Sequence, residues 1–113
     1  MGVNTVVLIH GWGGSFEETW KKPGIVEILG DTGHRIVGVD LLGHGGSDKP
    51  HEPDAYAAMG SHLAAQLPNE PCIAIAFSLG AMTTLRLAID APQRFGGLVL
   101  AGIGDRLFDP HDP

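Results

Sequence analysis

Four short apolar runs punctuate the chain at Thr5 to His10, Arg35 to Asp40, Cys72 to Phe77 and Gly97 to Ala101. Their continuous apolar character, without strict alternation, suits strands of a parallel sheet buried on both faces. Helical spacing fills the intervals. Pro23 is placed for a first helical position before Ile25, Val26, Ile28 and Leu29, with Gly33 as the stop. A second apolar stripe, Tyr56, Met59, Leu63 and Leu67, follows Pro53 and ends at Pro68. A third helix is expected just after Ser78, with Met82, Leu85 and Ile89 as an apolar stripe on one face, stopping before Pro92. Strands alternating with helices mean βαβ crossovers, and therefore an α/β fold with a three-layer sandwich around a mostly parallel sheet.

In such sheets, chemistry sits at the carboxyl ends of the strands. Here those ends read His10-Gly11-Trp12-Gly13-Gly14-Ser15, Asp40-Leu41-Leu42-Gly43-His44-Gly45, Phe77-Ser78-Leu79-Gly80 and Gly102-Ile103-Gly104-Asp105. Ala76-Phe77-Ser78-Leu79-Gly80, between a strand and a helix, carries small residues two before and two after the serine, as a strained nucleophile elbow requires. Such a turn would lift the Ser78 hydroxyl above the sheet at a helix N-terminus, where developing negative charge is favoured. A serine there also suits plain helix capping, and the pentapeptide alone leaves both readings open. The glycine-rich turn after His10 can aim a backbone N–H at an oxyanion from the opposite side.

Taken in order, three blocks resemble the α/β-hydrolase superfamily: His10-Gly11-Trp12 with Ser15, Asp40 to Asp48, and Phe77-Ser78-Leu79-Gly80-Ala81. The resemblance covers essentially the whole chain, 1–113, from the family's third strand to the end of its sixth. It implies that Ser78 is the nucleophile of a serine hydrolase and that the backbone N–H groups of Trp12 and Leu79 form the oxyanion hole. Serine at the elbow points to an acyl-enzyme, with a small ester, lactone or thioester as the substrate class. His10 and His44 are expected to shape their loops rather than act as bases. The family's order is serine, acid, histidine. Asp105, after the last apolar run, is the candidate acid. His111, the one histidine after Ser78, lies between Pro110 and Pro113, a poor place to hold a base rigidly. The family's last two strands and catalytic histidine are therefore expected to lie outside this chain. On that reading the chain is a piece of a longer enzyme, or pairs with a second copy or a complementing C-terminal half along the exposed edge of its last strand.

Composition narrows the alternatives. A formal net charge of −6 and no basic cluster longer than Lys21-Lys22 argue against a nucleic-acid partner. No apolar stretch approaches the roughly 20 residues that span a bilayer, and no signal segment opens the chain, so the expected location is cytoplasmic. The single cysteine, Cys72, falls inside an apolar run and reads as packing. The six histidines show no short-range pair at ligand spacing, and neither a metal nor a cofactor is expected. A dinucleotide site over Gly11-Trp12-Gly13-Gly14 with Asp40 on the ribose fails at Phe16, where the fingerprint's third glycine should fall. A non-catalytic half-domain of the same fold is the other reading. Trp12 and Trp20 are candidates either for an acyl pocket or for packing.

Overall fold

The computed structural model describes residues 5–47, 49 and 58–102. Four parallel strands, β1 (Thr5–Ile9), β2 (Arg35–Val39), β3 (Cys72–Phe77) and β4 (Phe95–Ala101), form one sheet in the order β2-β1-β3-β4. β1 lies at the centre, in register with β2 from Thr5↔Arg35 to Ile9↔Val39 and with β3 from Val6↔Ile73 to Ile9↔Ala76. This order carries the carboxyl ends of β1 and β3 to one rim, side by side.

The pleat explains the three layers. Val6 and Leu8 of β1 face the same side as Ile73 and Ile75 of β3, where Trp20 and the helix α1 (Ile25–Asp31) cover them. Val7 and Ile9 face the other way with Ala74 and Ala76, under α2 (Met59–Gln66) and α3 (Leu79–Asp90). The alanines on that face leave room for close helix packing, while the bulkier isoleucines fill the other side. Leu63 of α2 is completely buried, Leu67 nearly so, and Met59 packs against the same cluster; Tyr56 lies outside the described residues.

Three expectations are corrected. Only β1 is buried along its whole length: β2 and β4 are the sheet's outer strands among the described residues, with Val99 of β4 53% exposed, and β3 ends on the half-exposed Phe77 at the rim. β4 also begins at Phe95, two positions before the apolar run at Gly97, since Phe95 pairs with Cys72 through a register shift. The inner face of α3 is Gly80, Ala81, Thr83 and Thr84 with Leu87 packed against the core, whereas Ile89 is 71% exposed. Small residues set that face because the helix starts in near contact with β1, and a helix at that distance admits no bulky side chain. In α1, Ile25, Val26 and Leu29 pack inward while Ile28 is 65% exposed.

These burials set opposite outcomes for two substitutions. Leu63→Ala is expected to lower stability by about 2–5 kcal/mol, the range for emptying a buried leucine site. Ile89→Lys should change it by less than about 0.5 kcal/mol. Urea unfolding midpoints of the two variants against the parent check both, and equal losses would contradict this placement of α3.

Candidate functional site

Ser78 joins β3 to α3 with φ 55° and ψ −117°, the one non-glycine residue with positive φ among the described residues. A side chain held there costs on the order of 1–3 kcal/mol, so neighbouring structure must enforce it. Ser78 N–H donates to the Ala101 carbonyl of β4 at 2.8 Å, and Ser78 O accepts from Met82 N–H at 3.0 Å. Two residues on, a Cβ at Gly80 would fall 2.2 Å from His10 O and 2.7 Å from Ile9 Cγ2, which only glycine avoids. Two residues before, Ala76 is buried against the helices. The sequence requirement for small residues on both sides of Ser78 thus has its physical cause in the approach of α3 to the end of β1.

The glycine-rich turn after β1 stands against the same serine. A Cβ at Gly11 would meet Ser78 Cβ at 3.1 Å and the Phe77 carbonyl at 3.2 Å. Trp12 follows Gly11 directly, and Leu79 is the first residue of α3. Among the described residues neither N–H has an acceptor. A first-turn amide of a helix lacks an intrahelical acceptor by construction.

Two histidines tie this turn to the loop after β2. Leu41 N–H donates to His10 Nε2 at 2.9 Å, and Gly13 N–H donates to His44 Nε2 at 2.9 Å. Each ring's other nitrogen meets a carbonyl, Gly11 O at 2.7 Å from His10 Nδ1 and Leu42 O at 3.1 Å from His44 Nδ1. Amides only donate and carbonyls only accept, so both rings are neutral with the proton on Nδ1. The expectation that both histidines organise loops matches this arrangement. Burial pushes the His10 pKa below its ordinary value, the bond to Gly11 O opposes that, and nearby His44 adds to the lowering. Asp40 Oδ1 lies 3.9 Å from His10 Nε2, but with the ring neutral this is no ion pair.

Asp40 has a part that the sequence did not reveal. Its carboxylate accepts Phe16 N–H at 2.8 Å and Gly46 N–H at 2.9 Å, bridging the two loops. Burial raises its pKa, but these two amides, with Lys49, outweigh burial and hold it below the usual carboxylate range. A Cβ at Gly45 would strike this carboxylate at 2.4 Å, so the turn needs glycine there.

The ring of Trp12 is 76% exposed and stands edge-on to His44, with ring centroids 5.1 Å apart. Between the loops opens a cleft of about 320 Å³ lined by Trp12, Gly13, Gly14, Gly43, His44 and Gly45. Trp20 is core instead, packed under Val6 and Leu8. Asp105 and His111 lie outside the described residues, and among those described no imidazole hydrogen-bonds Ser78 Oγ.

Comparison with known proteins agrees with this architecture. Residues 4–113 match the family described as the alpha/beta hydrolase fold. The chain is 35% identical over 105 residues to the sn-1-specific diacylglycerol lipase of Mus musculus, covering 87% of this chain and 32% of that protein. It is 36% identical over 100 residues to the pimeloyl-[acyl-carrier protein] methyl ester esterase of Edwardsiella ictaluri, covering 87% and 36%. The solved structure of a 2-hydroxy-6-oxo-6-phenylhexa-2,4-dienoate hydrolase from Rhodococcus superposes with a TM-score of 0.72 at 27% identity, covering 87% of this chain and 37% of that one. The chain spans about a third of the length of the curated relatives it matches.

Two outcomes follow from the geometry. Gly80→Ala should cost at least about 2 kcal/mol, since the contact it creates is with backbone that cannot rotate away; chemical denaturation of the variant measures this. The lowered His10 pKa means that the unfolded chain binds its proton first as pH falls, so His10's contribution is intact above about pH 6.5 and is lost below it. Asp40, also lowered, contributes above about pH 3.9 and loses that as pH falls further. Unfolding midpoints should therefore be level from pH 8 to about 7 and decline in two stages on acidification, with Asp40→Asn reducing the lower stage.

Proposed function

Because this chain belongs to the α/β-hydrolase fold family, we propose that it carries the nucleophile and oxyanion hole of a serine hydrolase acting on a small ester, lactone or thioester. The observation that carries the reading is the conformation of Ser78: a strained serine turn at the carboxyl end of β3, against which the glycine turn after β1 is packed to within contact distance. A capping serine needs only ordinary extended backbone, and Ser78 makes no capping bond to the N–H groups of α3. Strain of this kind is retained where it aims a reactive group.

In this reading Ser78 Oγ attacks the acyl carbon while its proton passes to a general base. The carbonyl oxygen becomes an oxyanion, which accepts hydrogen bonds from the N–H groups of Trp12 and Leu79. Collapse expels the alcohol or thiol, which takes up the proton, and leaves an acyl-enzyme; water then attacks the acyl carbon and releases the acid and Ser78. The base is an imidazole that comes after Ser78 in the family's order, and Asp105 is this sequence's candidate for the acid that orients it. Preorganised amides at the oxyanion contribute a large share of such catalysis, since removing one donor costs about 10²–10³ in rate. The cleft of about 320 Å³ beside Trp12 is within the size range of small-molecule sites and suits part of an acyl substrate. The relatives' esterase and lipase activities support an ester-type bond as the target.

Incubation with a fluorophosphonate probe, followed by intact-mass measurement, tests the assignment. Stoichiometric labelling that disappears in Ser78→Ala supports the assignment and means that the base comes from His111 or from a partner chain. No labelling of the folded protein means that this chain carries the elbow without its activating histidine, and labelling that persists in Ser78→Ala overturns the nucleophile assignment.

A further inference from the structure

The cleft between the glycine turn after β1 and the loop after β2 is built almost without side chains. Among the described residues its lining is Gly13, Gly14, Gly43 and Gly45 with the two rings of Trp12 and His44. Gly13 and Gly43 have φ of 77° and 84°, where other residues are strained, so these walls stay bare backbone. The indole and the imidazole stand at 78° to each other and form a corner of the cleft. His44 has no hydrogen-bonding atom to spare: Nε2 accepts the Gly13 N–H, and Nδ1–H donates to the Leu42 carbonyl. Two charged side chains brace the loop after β2, and both are engaged with backbone. The Asp40 carboxylate accepts from Phe16 and Gly46 N–H, and Lys49 Nζ donates to the Gly45 and Ser47 carbonyls. Neither lines the cleft.

An ion drawn into such a space gives up hydration and meets no counter-charge. An apolar group leaves water at a gain and covers an indole that is otherwise largely exposed. From this lining we infer that the cleft binds an uncharged apolar group, an aromatic ring or an alkyl chain, against the Trp12 indole, and that this group is a substituent of the ester-type substrate attacked by Ser78. Trp12 is then a specificity-determining residue through its side chain. The link to the nucleophile is Gly11, the residue before Trp12, where a Cβ would meet Ser78 Cβ at 3.1 Å. The cleft thus begins one residue from the contact with the serine. The substrate role rests on the function proposed above; the class of ligand rests on the lining alone.

Benzyl alcohol, benzoate and benzylammonium share a ring and differ in charge, so together they test the class of ligand. The chain has two indoles, and Trp20, buried in the core, is the internal control. In ¹⁵N–¹H spectra the Nε1–H signal of Trp12 should move saturably with benzyl alcohol while that of Trp20 stays in place. Benzoate and benzylammonium should need about 10-fold higher concentrations for the same shift. An equal or stronger response to either ion, or no saturable shift, would overturn the site. Labelling rates with a methyl and a hexyl fluorophosphonate test the substrate role. The parent is expected to favour the hexyl compound by about 10-fold or more, and Trp12→Ala to bring the ratio below about 3. A general change in reactivity cancels in this ratio. A parent without the preference, or a ratio unchanged in Trp12→Ala, overturns the substrate role. If Ser78 proves unreactive, the proposed function and the substrate role fail together, and the titration still decides the site. Labelling without any titration shift leaves the function standing and sinks the inference. Trp12 is exposed, so its replacement should leave the fold intact; should Trp12→Ala not fold, the parent's titration and its hexyl-to-methyl ratio decide.

Discussion

The first turn of α3 meets the end of β1 at a distance that leaves no room for one methyl group at Gly80. That approach governs the site. It presses the turn into the positive φ of Ser78, and it limits the buried positions of α3's first turns to glycine, alanine and threonine, with Leu87 packing farther along. It also draws the glycine turn after β1 against the serine. Helices usually pack on sheets through bulky side chains; here close packing is given to positioning, and the apolar burial that α3 forgoes is carried by Leu63 of α2 and Leu67 just past its end. The strain at Ser78 is thus offset by packing elsewhere in the domain.

Around this contact the two loops form a network that contains few side chains. His10 reaches from the first loop to Leu41, His44 returns from the second loop to Gly13, and the Asp40 carboxylate bridges Phe16 and Gly46. All of these bonds end on backbone amides. Such a network makes rigid a segment whose glycines would otherwise give it wide conformational freedom. It also keeps the carboxylate charged and both imidazoles neutral, because the amides offered to them can only donate. On the function proposed above, in which the donors of an oxyanion hole must be aligned before charge develops, this bracing is what would hold the loop in place.

Much of the architecture was legible in the chain. The apolar runs located all four strands, and the small residues around Ser78 pointed to a tight turn. Exposure was harder to read: continuous apolar character suggested burial on both faces, yet Val99 is open because β4 is the outer strand among the described residues. Period alone also chose the wrong face for α3, since Met82, Leu85 and Ile89 form as regular a stripe as Gly80, Thr84 and Leu87; distance to β1, not hydrophobicity, decides between them. Asp40 escaped notice because its partner Phe16 is 24 residues away and contributes only a backbone amide, which carries no side-chain signature. His10 was placed correctly as a loop residue, but its contact with the next residue's carbonyl depends on a ring orientation that only the bond to Leu41 determines.

The bond from Ser78 N–H to the carbonyl of Ala101 ties the elbow to the outermost strand of the described sheet. Central strands open only with global unfolding, whereas outer strands separate in smaller local fluctuations. The strained serine is therefore joined on one side to the most persistent strand of the sheet, through Gly80 and β1, and on the other to one of the least persistent. Its conformational lifetime is set by the weaker of these two attachments, so whatever pairs with or covers β4 determines how long the turn stays wound.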